Sequence, residues 1–400
     1  MRRKMLGGLV LAATLVITGA GSALAQPVPA AARSADTFYT PPSDLASLAP
    51  GAVIQSRTVG VPAYGIPLPV QAWQLLYRSN NTDGTAIAAT TTVIVPPGKP
   101  AGPRPLISYQ AIINALDPEC SPSRTVPSGG LDEIFMLLWP LLRGWAVSVP
   151  DHAGPNSNYG AGHLGGQVTL DGVRAVEHFA PTELGPDTPV GLWGYSGGGF
   201  STAWAAELQA SYAPELNVVG SAEGGVPADF DDLINANKGS GAFGLVFAAA
   251  VGLSREYPAM GLSSVLNPRG LQLQNQISTL CVGRLLTVAP GLSFNYLTKD
   301  PNALDLPQVR DVIKANTPGR TVPAAPVLLY HSAIDNAVPV KSADELAASY
   351  CATGATVDYQ RSSFTADHVL VAILGIPSVL GFFDARFAGA PPVSTCAPTP

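Results

Sequence analysis

Charge is what this 400-residue chain has least of: Asp, Glu, Lys and Arg together make up 12% of it, against a usual ~25%. Its balance is acidic, 28 acidic side chains against 22 basic ones, with no Lys/Arg run beyond residues 2–4. Such a surface lacks the electrostatic footprint that holds a phosphate backbone, which excludes nucleic-acid binding. An apolar content of 46% equally excludes a disordered acidic chain, because those cannot bury a core. Histidine is scarce (five) and cysteine scarcer (four). No cysteines stand as CxxC and no His lies at metal-ligand spacing, so no metal site is expected. Nor does any apolar run reach the ~18 residues that a bilayer span requires. The nearest within the body of the chain is 241–253.

What is present begins with Arg2-Arg3-Lys4, an apolar stretch over 6–17 and Ala23-Leu24-Ala25. This is the pattern of a secretory signal peptide, residues 1–25, cleaved near Ala25-Gln26. Its loss leaves 19 basic residues against 28 acidic ones, taking the formal charge from −6 to −9. The expected location is therefore extracellular. An even cysteine count in an exported protein reads as two disulfides among Cys120, Cys281, Cys351 and Cys396, with three connectivities open.

Residues 26–50, rich in Pro and Ala, read as an N-terminal arm. Strand patterns follow at 53–59, 72–78 and 90–95, separated by turn signals such as Asp83-Gly84. The rhythm then becomes strand and helix: 105–110; 146–150 with helix 169–179; 190–195 with helix 198–211; 216–222; 327–331 with helix 342–350; 356–362 with helix 367–383. This alternation predicts an α/β fold, a mostly parallel central sheet with helices on both faces and an antiparallel edge. Between 230 and 310 it lapses into helical patterns at 241–253 and 271–286. The expected organisation is a core over 51–229, an inserted helical cap over 230–310, and the rest of the core with a tail over 311–400. The five Trp residues read as core.

The chemistry concentrates at Gly194-Tyr195-Ser196-Gly197-Gly198, a G-x-S-x-G string between an apolar strand and a helical run. A nucleophile on such a turn needs glycine neighbours so that strand and helix can approach, and the N–H of Gly197 points to the same place as an oxyanion donor. Serine requires a base and the base a carboxylate, in the chain order nucleophile, acid, His. His152, His163 and His178 precede Ser196, which leaves His331 and His368. His331 ends a strand and reads as packing there, whereas His368 opens the last helix after a strand. Asp335, in the loop Ser332-Ala333-Ile334-Asp335-Asn336-Ala337-Val338-Pro339, is the expected acid; Asp367, adjacent to His368, reads as a helix N-cap.

With these residues, the chain resembles the secretory lipase family over nearly its whole mature length. The resemblance is carried by Phe38-Tyr39, Ser108-Tyr109-Gln110, Cys120-Ser121-Pro122-Ser123, residues 150–155 (PDHAGP), Thr169-Leu170-Asp171, the serine turn, residues 224–229 (GGVPAD), and Asp335 to Pro339 with His368, in the family's order. It implies an α/β-hydrolase core, a helical cap, cofactor-free hydrolysis of acyl esters, and the pairing Cys120–Cys281 and Cys351–Cys396. Where the family's fungal members carry an acidic residue at the oxyanion hole, this chain has Asn114, whose amide can donate without being protonated. Ser332 stands where many hydrolases have Gly. Asp151 and Asp229, at strand ends, are weaker site candidates. The expected function is a secreted triacylglycerol lipase. The alternatives are a short-chain or polyester-type carboxylesterase, or a non-catalytic secreted binding protein on a hydrolase scaffold. A lipid or ester substrate, a lipid–water interface and a monomeric state are the expected partnerships.

Overall fold

A computed structural model describes residues 36–396. The expected signal peptide and the start of the arm lie outside the described residues.

Nine strands share one sheet. They are β1 (Val53–Thr58), β4 (Gln71–Asn80), β5 (Ala86–Val95), β6 (Leu106–Gln110), β7 (Ala146–Pro150), β8 (Val190–Tyr195), β9 (Val218–Gly224), β10 (Val327–Ser332) and β11 (Val357–Ser362). Two short strands, β2 (Pro62–Ala63) and β3 (Ile66–Pro67), form a separate ribbon. The order in the large sheet is β1-β4-β5-β7-β6-β8-β9-β10-β11. Pairing is antiparallel from β1 through β7 and parallel from there to β11. β4 and β5 form a hairpin across the turn at 81–85, whereas β1 reaches β4 through the β2–β3 ribbon and β5 pairs with β7 across a longer excursion. The inner strands β6, β7, β8 and β10 are buried along their whole length, as strands covered on both faces must be.

Helices cover the two faces. They run α1 (Pro122–Ser128), α2 (Ile134–Leu142), α3 (Gly162–Glu177), α4 (Gly197–Tyr212), α5 (Phe230–Asn237), α6 (Phe243–Glu256), α7 (Leu262–Val265), α8 (Pro268–Ile277), α9 (Val282–Val288), α10 (Pro307–Ala315), α11 (Val340–Ala352), α12 (His368–Leu374) and α13 (Ile376–Phe387). One apolar core packs α3 and α4 against the sheet through Leu164, Val168, Val173, Leu192 and Ala205. On the other face α2 and α13 pack through Met136, Leu137, Val379 and Phe383. Between β9 and β10 the described residues form helices and turns around a third core of Phe243, Phe247, Phe294, Leu266 and Leu285.

Several expectations differ in detail. The helix expected at 169 begins at Gly162, because Gly162 and Gly166 let it lie directly on Trp204 of α4. The pattern at 271–286 is two helices, interrupted before Cys281, which caps α9 and is bridged to Cys120. The run 367–383 is also two helices, bent by 43° at Gly375 and Pro377. Helices α1 and α2 were not anticipated, since Pro127 and Pro140 lie within them and proline reads as a helix breaker. Trp139 is no core residue: it is 44% exposed on the outer side of α2. Among the described residues no single helix is long and apolar enough to cross a membrane.

Candidate active site

The centre of the parallel sheet fixes the serine. β8 hands Ser196 to α4 in a turn with φ 54° and ψ −123°, a conformation that costs an L-residue roughly 1–3 kcal/mol. The turn closes only because its neighbours lack side chains. A Cβ on Gly194 would strike the carbonyl of Gly198 and Thr202 Oγ1, and one on Gly198 would strike the carbonyl of Gln110. The Ser196 amide donates to the Gly224 carbonyl (2.8 Å), pinning the turn to β9. Gly197 is the first residue of α4, so its N–H has no intrahelical acceptor.

β10 and β11 end on the same side of the sheet and carry the other two residues. His368 opens α12, and its Nδ1 lies 2.7 Å from Asp335 Oδ2. The other Asp335 oxygen accepts from the amides of Ala337 and Val338, both at 2.8 Å. Burial pushes this carboxyl up, but the His368 hydrogen bond and those amides outweigh it and hold it below its ordinary range. With Nδ1–H donating to the carboxylate, Nε2 is the bare, accepting nitrogen. That Nε2 is buried and has no hydrogen-bond partner among the described residues. The ring stands over the ends of β8 and β9. Its centroid is 5.0 Å from that of Tyr195, whose hydroxyl donates to the His368 carbonyl (2.6 Å). Gly225, at φ 55°, leaves the space: a Cβ there would press on His368 Cε1 and on the Tyr195 ring.

Asp367 points elsewhere. It caps α12, accepting from the Leu370 amide at 2.8 Å. His331 is buried at the end of β10, where its Nε2 bonds the Val338 carbonyl (3.0 Å) and lies 3.6 Å from Asp335 Oδ2. Burial holds its pKa below normal, so it braces the acid loop as a neutral ring. The sequence reading placed it at the strand end but missed this contact; its spacing of four from Asp335 across a tight loop was the available signal. Ser332 also has a use. Its hydroxyl donates to the Thr365 carbonyl and accepts from the Ile334 amide, tying the acid loop to the histidine loop.

Asn114 lies against Gly197, where its Oδ1 would meet any Cβ, and that oxygen is buried without a partner. Two side chains, the half-buried Glu133 and the buried His152, hold its loop. Glu133 accepts from the Ile112 amide (2.8 Å) and from the Tyr109 hydroxyl, and burial raises its pKa to about 7. His152 bonds the Ala111 carbonyl (2.8 Å) and Ser201 Oγ (2.9 Å), and burial takes its pKa down to about 4. The sequence assigned this bracing role to neither residue, His152 having been set aside only as a base, because isolated Glu and His letters do not reveal which loop they brace.

Asp151 and Asp229 are not brought to this cluster. Asp151 is latched to Ser123 through its amide and hydroxyl, and Asp229 caps α5. Disulfides join Cys120 to Cys281 and Cys351 to Cys396. The first links the segment after the Asn114 loop to the helical region between β9 and β10. Arg255 of α6 makes a second link, donating to the Leu116 carbonyl at 2.7 Å. Helix α6 is buried along most of its length, so it is the framework of that region rather than a surface flap.

Such an arrangement could serve acyl transfer, and known proteins resemble the chain as follows. The family model described as secretory lipase matches residues 125–395. The crystal structure of Candida antarctica lipase A in its closed state superposes with a TM-score of 0.84 at 32% identity, covering 91% of this chain and 90% of that one. A secreted triacylglycerol lipase of Malassezia globosa is 33% identical over 380 residues, 90% of this chain and 81% of its own length. A Mycobacterium tuberculosis protein described as a probable inactive lipase is 38% identical over 376 residues, 90% of this chain and 83% of its own length. The chain belongs to the secretory lipase family.

Proposed function

We propose that Ser196, His368 and Asp335 act as nucleophile, base and orienting acid in the hydrolysis of water-insoluble acyl glycerols. Ser196 Oγ attacks the ester carbonyl as His368 Nε2 takes its proton. The oxyanion is met by the Gly197 N–H and the Asn114 amide, and Nε2 returns the proton to the departing alkoxide. A water molecule then repeats the sequence on the acyl-enzyme, releasing the acid. One observation carries this reading: the His368–Asp335 pair leaves a buried, unpartnered Nε2 above the strand ends that deliver Ser196. The protein is a carboxylic ester hydrolase by family, and the relative described as a triacylglycerol lipase supports triacylglycerols as substrates. Residues 230–310 would act as a cap that selects the acyl group, and the protein would work as an extracellular monomer after cleavage at Ala25. Its two disulfides and the relative described as secreted favour export.

A series of p-nitrophenyl esters from acetate to palmitate, with emulsified triglyceride, run on wild type and Ser196→Ala, tests the proposal. Hydrolysis confined to acetate and butyrate would make it a short-chain esterase. Inactivity on all of them would favour a non-catalytic scaffold, as the name of the mycobacterial relative suggests for that protein.

A further inference from the structure

Asn114 can serve an oxyanion only if its segment is held, and that segment does not hold itself. Residues 112–116 have no regular secondary structure, and among the described residues none of them makes a backbone–backbone hydrogen bond. Buried backbone groups without such a ladder take other partners. At the near end His152 Nε2 donates to the Ala111 carbonyl (2.8 Å) and Glu133 accepts from the Ile112 amide (2.8 Å). At the far end the Leu116 carbonyl accepts from Arg255 Nη1 at 2.7 Å. Asn114 lies between these holds, its Oδ1 against Gly197.

Arg255 stands in the last turn of α6, and it holds more than one loop. The same Nη1 lies 2.8 Å from the Asn156 carbonyl and 3.3 Å from that of Ser157. Three carbonyl oxygens from two loops thus converge on one nitrogen. Such dipoles repel one another unless a cation sits among them, and a guanidinium supplies the charge with a rigid fan of donors. Burial lowers the pKa of Arg255 and the Asp117 carboxylate opposes that fall, so the group keeps its charge at any working pH. Ser157 is itself held at φ 48°, on the left-handed side that a residue with a side chain seldom adopts. A strained residue of that kind persists only where its surroundings fix it. The loop that carries Ser157 also carries His152. The two loops are therefore joined at both ends, by His152 to Ala111 and through Arg255 to Leu116. The Leu116 side chain is buried in the core that Phe243 and Phe247 of α6 help to build, so both its side chain and its carbonyl belong to the packing of α6.

We propose that Arg255 is a positioning residue for the oxyanion hole. By holding the Leu116 carbonyl it keeps the Asn114 amide turned to the space that the Gly197 N–H also serves. A donor about 1 Å out of place costs on the order of 10²-fold in rate. The inference rests on the hydrolase reading above and deepens it: α6, besides its place in the cap, takes part in the chemical step through a residue that need not touch the substrate.

The test uses the mature full chain with p-nitrophenyl butyrate, and a double-mutant cycle of Arg255→Met with Asn114→Ala. Arg255→Met should lower kcat by about 10²-fold with KM within about threefold, the pattern of an interaction made in the transition state. Asn114→Ala should lose a similar factor. Because Arg255 acts through Asn114, the double variant should fall no more than about threefold below Asn114→Ala, since a misplaced donor is not lost twice. Hydrogen exchange reads the same hold without turnover: the amides of 112–116 should exchange about tenfold faster or more in Arg255→Met, with those of β8 unchanged. Arg255→Lys, a shorter cation without the fork, should lose part of the same kcat factor. It replaces the methionine variant in both measurements if that one does not fold. Losses in kcat that multiply in the double variant would overturn the proposal, as would an unchanged kcat or a loss confined to KM. Equal exchange over 112–116 in wild type and variant would overturn it as well. A wild type inert towards the ester, or an Asn114→Ala variant as active as wild type, would count against the catalytic reading of the site. Exchange over 112–116 would then decide alone whether Arg255 holds the segment.

Discussion

Asp335 meets His368 with one carboxylate oxygen, at 2.7 Å, while its other oxygen is held by the amides of Ala337 and Val338. The acid is therefore fixed by its own loop and has a single direction in which to orient the imidazole. Asp335→Asn should lower kcat by about 10⁴-fold, because an amide at that position favours the wrong tautomer of the histidine. Asp367→Asn should leave kcat within a few-fold, since Asn caps a helix nearly as well as Asp. The paired kcat measurement checks the assignment, and a larger loss in the Asp367 variant would transfer the role of acid to that residue.

Substitution of the serine separates activity from stability. Ser196→Ala should reduce ester hydrolysis by about 10⁴-fold or more, and a phosphonate ester should modify Ser196 and no other residue. Ser196→Gly should be equally inactive but more stable than the alanine variant by about 1 kcal/mol, since glycine adopts φ 54° without strain. Thermal unfolding of the two variants, compared side by side, reads this difference. Equal melting temperatures would mean that the turn stores little strain.

The elements most legible in the sequence were those governed by local patterns. β7 and β8 were expected over the residues that they occupy, because a continuous apolar run bounded by turn residues has few other uses. Ser196 was marked by its glycines, and His368 and Asp335 by chain order and loop position. What the sequence did not reveal depends on contacts distant along the chain. Glu133 reaches a loop some 20 residues away, and His152 bridges the Ala111 carbonyl and Ser201. Ser332 counted as a departure from a familiar pattern until its hydroxyl was seen to join two loops.

Both disulfides close long stretches of chain, with sequence separations of 161 for Cys120–Cys281 and 45 for Cys351–Cys396. Loop-closure entropy gives each an upper bound of about 4–5 kcal/mol. Cys351→Ser/Cys396→Ser frees the tail beyond α13 and should lower the melting temperature with kcat nearly unchanged, as the bridge joins the end of α11 to that tail and neither cysteine lies on a loop that carries Ser196, Asp335 or His368. Cys120→Ser/Cys281→Ser should lower both, because it releases the Asn114 loop from α9. If the second pair of substitutions left kcat intact, the Arg255–Leu116 contact and the packing around Leu116 would be sufficient to hold that loop.

A buried carboxyl outside the catalytic set should shape the stability profile. Glu223 on β9 is fully buried; its Oε1 accepts from Ser221 at 2.8 Å, and its Oε2 has no partner among the described residues. Burial raises its pKa to about 8, with the nearby Glu207 adding to the effect. In the unfolded chain the same group titrates near its model value of 4.5. The folded state thus binds a proton that the unfolded state has already released. Its contribution is fully present below about pH 4.5 and is lost as pH rises towards 8, at about 1.4 kcal/mol per pH unit at most. His152 works in the opposite sense: its folded pKa of about 4 lies below the unfolded value, so its contribution is present above about pH 6.5 and is lost as pH falls. Between pH 6.5 and 8 the histidine term is constant and the Glu223 term still declines. Glu223→Gln removes that titration, so the fall in melting temperature between pH 6.5 and 8 should be smaller in the variant than in wild type. Equal falls in the two proteins would show that Glu223 does not change its protonation on folding in this range.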